Sequence, residues 1–239
     1  MKINKIMVAK AAGTAWKWCR RVVFWSAVGS VALVVVLRFV PVYWTPLMLI
    51  RVCEQWGEGR PAMLKHRWVS IERIAEPLAL AVVAAEDNRF LIHRGFDLEQ
   101  IVEARRDADR GRRLRGASTI SQQTAKNVFL WPGKSYVRKG LEAYFTALIE
   151  VLWGKRRIME VYLNSIEMGD GIYGAEATAA AHFGKGAAAL SRGEAALIAA
   201  SLPNPRRLRS DRPSAYLLKR QGKILSLMGK IGPINWGVR

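Results

Sequence analysis

The chain has 239 residues, room for one sizeable core or for one domain and an anchor. Hydrophobic residues make up 51%, and 38 Lys and Arg against 19 Asp and Glu give a formal net charge of +19. A charge of that size implies an acidic partner: nucleic acid, anionic lipid or a phosphorylated substrate.

Residues 1–21 carry Lys2, Lys5, Lys10, Lys17, Arg20 and Arg21 and no acid, which marks them as a cytoplasmic basic tail. From Val22 to Leu37 the chain is apolar and uncharged; Arg38 interrupts, and apolar residues continue to Trp44. A membrane-spanning helix needs roughly 20 such residues. The pattern predicts a single transmembrane anchor over 22–44, with Arg38 snorkelling and Tyr43 and Trp44 in the interfacial belt. A cleaved signal peptide would show a shorter apolar core and a small-residue cleavage site, where Arg38, Phe39, Val40 and Pro41 stand instead. Everything beyond Trp44 is then expected outside the cytoplasm. With the six tail cations set aside, 32 basic residues face 19 acidic ones, a net +13. Nucleic acid is the wrong partner for such a domain; an anionic membrane surface and lipid-linked phosphates survive. Cys19 and Cys53 fall on opposite sides of the span, so no intramolecular disulfide and no cysteine metal site is expected.

Residues 45–68, with Pro46, Gly57, Gly59 and Pro61, read as an irregular connector, and 69–239 as one outer domain. The apolar run 77–86 opens on a proline, a helix-start signal. Residues 105–115 hold six arginines and a glycine and read as a solvated loop. Segments around 118–130, 136–153, 155–165 and 189–202 show three-to-four apolar spacing. No stretch alternates with period two, so the domain reads as mainly α.

Chemistry-bearing residues cluster in order along this domain. Glu86 and Asp87 end an apolar helix and lead through Phe90 and His93 to Gly95; a carboxylate at such an edge is partly desolvated and suited to proton transfer, although a solvated helix end is the simpler reading. Gly116 to Asn127 is rich in hydroxyls and amides that suit a sugar, with Lys126 available for a phosphate. Arg138 and Glu142 lie four apart on one helical face, where a surface ion pair is the simplest account. Phe129 and Trp131 are divided between core packing and contact with the outer leaflet. Asp, Glu and His show no metal-ligand spacing.

Taken together, these blocks resemble the peptidoglycan glycosyltransferases, most closely the monofunctional biosynthetic transglycosylases. The pattern is Glu86-Asp87-x-x-Phe90-x-x-His93-x-Gly95, then Gly116-x-Ser118-Thr119-Ile120-x-Gln122-Gln123-x-x-Lys126-Asn127, then Arg138-Lys139-x-x-Glu142. A Tyr162-Leu163-Asn164 segment leading to glycines and a closing Glu194 to Pro205 block complete it. The resemblance implies a lysozyme-like helical domain on the outer face of the bacterial inner membrane. It implies polymerisation of lipid II onto a growing lipid-linked glycan, with Glu86 as general base, inversion at the donor anomeric carbon and release of lipid pyrophosphate. Ser118, Thr119, Gln122, Gln123 and Asn127 are implied substrate contacts, and Lys126, Lys134, Arg138 and Lys139 cationic ones; Glu142 is a second essential carboxylate. Two positions depart from the family: Lys134 stands where arginine is common and loses the bidentate fork, and Thr124 stands where many relatives carry leucine or valine.

No serine is followed three positions later by lysine, so no penicillin-binding transpeptidase activity is expected. No cofactor is required; a divalent ion (Mg or Mn) would be held by the substrate pyrophosphate. Other proteins of wall synthesis and division are candidate partners. A wall-cleaving hydrolase or lytic enzyme of similar fold remains an alternative but leaves the cationic cluster without a purpose. A basic membrane-surface scaffold leaves the ordered Ser/Thr/Gln block without one.

Overall fold

The computed structural model describes residues 2–111, 118–133 and 135–237. It divides into two compact units, residues 1–40 and 41–239.

The first unit is one helix, α1 (Lys2–Leu37), whose stretch Gly13–Leu37 has a mean hydropathy of 1.8 and outward-facing side chains. Its 25 residues span about 38 Å at about 1.5 Å per residue, long enough to cross a hydrocarbon core of about 30 Å. The helix ends earlier than the expected anchor. The Arg38 and Phe39 amides close the last turn on Val34 and Val36, and Pro41 disfavours helical backbone at Val40. Tyr43 and Trp44 follow outside any helix, and the helix gains its length upstream of Val22 instead.

The second unit begins with α2 (Pro46–Gly57), in the segment expected to be irregular. Thr45 caps it, its hydroxyl accepting from the Met48 amide at 3.3 Å, and Pro46 takes the first helical position, where its missing N–H costs nothing. The strand β1 (Lys65–His66) and a 3-10 turn (Ile71–Arg73) lead into α3 (Glu76–Glu86), whose residues Leu78 to Ala84 are buried all round. Helix α4 (Leu98–Asp109) takes in the first part of the arginine-rich segment 105–115 expected as loop; Arg110 and Gly111 follow as a turn, and 112–115 lie outside the described residues. Then come α5 (Ile120–Phe129), α6 (Tyr136–Leu152) and α7 (Gly154–Ser165). Strands β2 (Glu167–Gly169) and β3 (Ile172–Tyr173) precede α8 (Ala175–Phe183), a 3-10 turn (Ala187–Ala189), α9 (Arg192–Ser201) and α10 (Ala215–Ile231).

Two packing groups form the core: α3 against α9 and α10, and α5 against α6 and α7. The small sheet runs β1-β3-β2, with Lys65 opposite Ile172 in parallel and Glu167 opposite Tyr173 antiparallel. Its strands, two or three residues long, are too short to alternate visibly in sequence. Asn164, at the end of α7, ties the sheet side to the helices. Its Nδ2 donates to Val69 O at 2.9 Å and Glu160 O at 2.8 Å, its Oδ1 accepts from the Val69 amide at 3.0 Å, and its carbonyl accepts from His66 Nε2 at 3.0 Å.

Candidate active site

The two adjacent carboxylates at the end of α3 have different surroundings. Asp87 is 2% exposed and fully engaged. It accepts from the Ile120 amide at 3.0 Å, at the first turn of α5, and from His93 Nε2 at 2.9 Å. His93 Nδ1 accepts from the Gly95 amide at 3.1 Å, which leaves the proton on Nε2 for Asp87. Asp87 therefore joins the C-terminus of α3 to the N-terminus of α5, where a carboxylate also meets the positive end of the helix dipole.

Glu86 remains partly open, with its side chain 15% exposed. Its Oε2 accepts from Gln123 Nε2 at 3.0 Å, and Gln123 Oε1 accepts from the Tyr162 hydroxyl at 3.2 Å. Tyr162 is buried completely; burial raises its pKa well above the ordinary value, and the charges of Glu86 and Asp87 add to that, so it stays a neutral donor. This chain fixes one carboxylate oxygen and leaves the other, Oε1, 3.8 Å from Arg220 Nη2.

The hydroxyl and amide block divides. Thr119 and Gln122 form a capping box: the Thr119 hydroxyl accepts from the Gln122 amide at 3.2 Å, and Gln122 Oε1 accepts from the Thr119 amide at 3.1 Å. The Thr119 hydroxyl also donates to Gly95 O at 2.6 Å. Both side chains are buried, 3% and 5% exposed, so their polar atoms serve the start of α5 rather than pointing toward open space. Gly95 has φ +87°, and a Cβ there would meet Thr146 and Glu150 of α6 at 2.9 Å, so this junction requires glycine. Ser118 is exposed, its carbonyl 3.4 Å from Gln123 Nε2. Gln123, Lys126 and Asn127 face a cavity of about 380 Å³.

Arg138, on α6, faces the same cavity. Its pairing with Glu142 is buried rather than superficial: Glu142 is 3% exposed and accepts from Arg138 Nη1 at 2.8 Å and from Lys139 Nζ. Arg138 Nε is buried with no hydrogen-bond partner among the described residues. Burial lowers the Lys126 pKa; Glu142 opposes the shift, and Arg138 and Lys139 add to it. Lys134 lies outside the described residues. Trp131 is 44% exposed and lines the cavity, whereas Phe129 stacks on Phe145 with centroids 4.4 Å apart. Arg51, Tyr162 and Glu167 also line the cavity and were not among the expected site residues. Arg51 and Arg220 belong to no motif block; only the helical spacing of Leu47 and Arg51 hints at a shared face. Among the described residues no group of three His, Cys, Asp or Glu could hold a metal ion.

A held carboxylate beside a cavity lined by cations suits transfer of a group from an anionic leaving group. The family model described as Transglycosylase matches residues 55–229. A biosynthetic peptidoglycan transglycosylase of Bacteroides thetaiotaomicron is 56% identical over 215 residues, covering 90% of this chain and 87% of that protein. Proteins of the same name from Caulobacter vibrioides, 53% identical over 203 residues, and Pseudomonas fluorescens, 51% over 212, cover 85% and 89% of this chain and 86% and 88% of their own lengths. The chain belongs to the transglycosylase family.

Proposed function

We propose that this chain is a peptidoglycan glycosyltransferase that polymerises lipid II. The observation that carries the reading is the juxtaposition of Glu86, fixed by Gln123, with a cavity to which Lys126 and Arg138 present their charges. Glu86 takes the proton of the acceptor sugar's 4-hydroxyl, which attacks the donor anomeric carbon as the bond to the lipid pyrophosphate breaks, with inversion. A sugar hydroxyl is a poor nucleophile until a positioned carboxylate accepts its proton. The leaving pyrophosphate is already anionic and needs cations rather than an acid. Lys126 and Arg138 supply them, with Lys139 and Lys134 as further phosphate contacts and Ser118 and Asn127 as sugar contacts. Glu142 orders Arg138 and Lys139. A Mg or Mn ion carried on the pyrophosphate would add charge of the same sign. The reading carries no transpeptidase step.

The apolar helix Gly13–Leu37 fits a single-pass anchor. In the proposed topology the basic tail is cytoplasmic and the catalytic unit faces the periplasm at the inner membrane, where other wall-synthesis and division proteins would meet it. Purified full-length chain given labelled lipid II should build polymer. Turnover confined to preformed glycan would make it a hydrolase, and no turnover of either a scaffold.

A further inference from the structure

Arg51 and Glu167 share the cavity with Lys126 and Arg138, yet the chemistry above uses neither. Leu47 and Arg51 stand four apart on α2, one turn of helix, and both face the cavity. The Arg51 guanidinium donates from Nη1 to Glu54 Oε2 at 2.5 Å. Its Nε pairs in charge with Glu167 Oε2 at 3.6 Å, beyond hydrogen-bond reach, and is buried with no hydrogen-bond partner among the described residues. Glu167 is held in turn: its Oε1 accepts from the Gly171 amide at 3.3 Å, and only 9% of its side chain is exposed. Burial pushes the Glu167 carboxyl pKa up, against the pull of Arg51. Among the described residues lining the cavity, the cations Arg51, Lys126 and Arg138 outnumber the carboxylate of Glu167. A guanidinium with an idle, buried N–H on a wall of net positive charge is matched by an anionic oxygen, the acceptor that completes its fork.

We propose that Arg51 is a phosphate-binding residue of this cavity, reaching a pyrophosphate oxygen of the lipid-linked substrate from α2 while Lys126 and Arg138 approach from α5 and α6. Glu167 is its positioning residue, balancing the pull of Glu54 so that the guanidinium stays at the cavity wall. The inference rests on the pyrophosphate reading given above and adds a third helix to the grip.

The test uses the detergent-solubilised full-length chain and inorganic pyrophosphate, titrated calorimetrically. Arg51→Gln should weaken binding about tenfold or more, the loss expected for one hydrogen bond to a charged group. Arg51→Lys should lie between that variant and the parent, because it keeps the charge and loses the fork. In lipid II kinetics, Glu167→Gln should raise KM more than it lowers kcat, as expected of a residue that aims a binding group. A purely structural Arg51 would lower the melting temperature of both Arg51 variants and leave the pyrophosphate affinity of the folded protein at the parent value, which overturns the proposal. Parent affinity in Arg51→Gln with affinity lost in Lys126→Gln overturns Arg51 alone. Parent affinity in both variants removes the pyrophosphate reading of the cavity itself.

Discussion

Glu86 and Asp87 are the same kind of acid one residue apart, and their partners separate them. Asp87 has both oxygens engaged, by His93 and by the first amide of α5, while Glu86 has one oxygen held by Gln123 and the other 3.8 Å from Arg220, beyond hydrogen-bond reach. Glu86→Gln should therefore fold with a parental melting temperature and lose lipid II polymerisation by roughly two to four orders of magnitude, the range for a general base. Asp87→Asn should do the reverse in emphasis. Its loss of a buried acceptor should cost about 1–3 kcal/mol and lower the melting temperature by several degrees in thermal unfolding. Equal losses of stability in the two variants would undo this division. Residue types and order were legible in the sequence: the motif blocks singled out Lys126 and Arg138, which line the cavity, and Glu86 and Glu142, which bond to residues that do. Which polar atoms were already occupied was not. Thr119 and Gln122 look like sugar contacts by composition, and only the folded start of α5 reveals that they satisfy each other and Gly95. Arg51 was hidden for the opposite reason, standing in no pattern until α2 turned it toward the cavity.

At the scale of elements, α5, α6, α7 and α9 fall in the segments read from three-to-four spacing and α3 in the apolar run opened by a proline, while α8 and the 17-residue α10 were not singled out. Helix α2 was missed because Pro46 and two glycines resemble breakers, although a proline at the first helical position starts a helix. The glycine-rich turn between α7 and α8 shows how element packing constrains a residue. Gly174 has φ +79°, and a Cβ there would lie 2.5 Å from Asn164 O, the carbonyl that also accepts from His66. Gly174→Ala should cost at least about 2 kcal/mol, since strain and a backbone clash act together. Gly222, exposed within α10 with no atom near its Cβ position, offers the contrast. Gly222→Ala should stabilise by roughly 0.5–1 kcal/mol through helix propensity alone. Denaturant melts of the two variants check both signs.

For the whole molecule, two half-buried histidines, His66 and His182, set an acid limit. Burial lowers the pKa of His66 and of His182, against the carbonyl of Asn164 in the first case and the charge of Asp211 in the second. The unfolded chain then binds more protons than the folded one below about pH 6.5, so this stability is present above that pH and is lost as pH falls. His66→Gln, which keeps a donor for Asn164, should flatten the fall in melting temperature between pH 7 and pH 5; an unchanged slope would discount His66. The charge asymmetry around α1 gives a second whole-chain expectation. A reporter active only in the periplasm should work when fused after Arg239, and a cytoplasm-only reporter there should be silent; the opposite pattern would place the catalytic unit away from its proposed substrate. A different kind of consequence follows from the lock at Asp87. The proposed base, the amide that holds it and the helix floor beneath Gly95 come from three stretches of chain, residues 86–95, 119–123 and 146–150, joined by that carboxylate and the Thr119 hydroxyl. A protein engineer could not graft the base alone into another helical scaffold: the three stretches would have to travel as one block, and a swap between relatives that replaced only one would separate the glutamate from the groups that aim it.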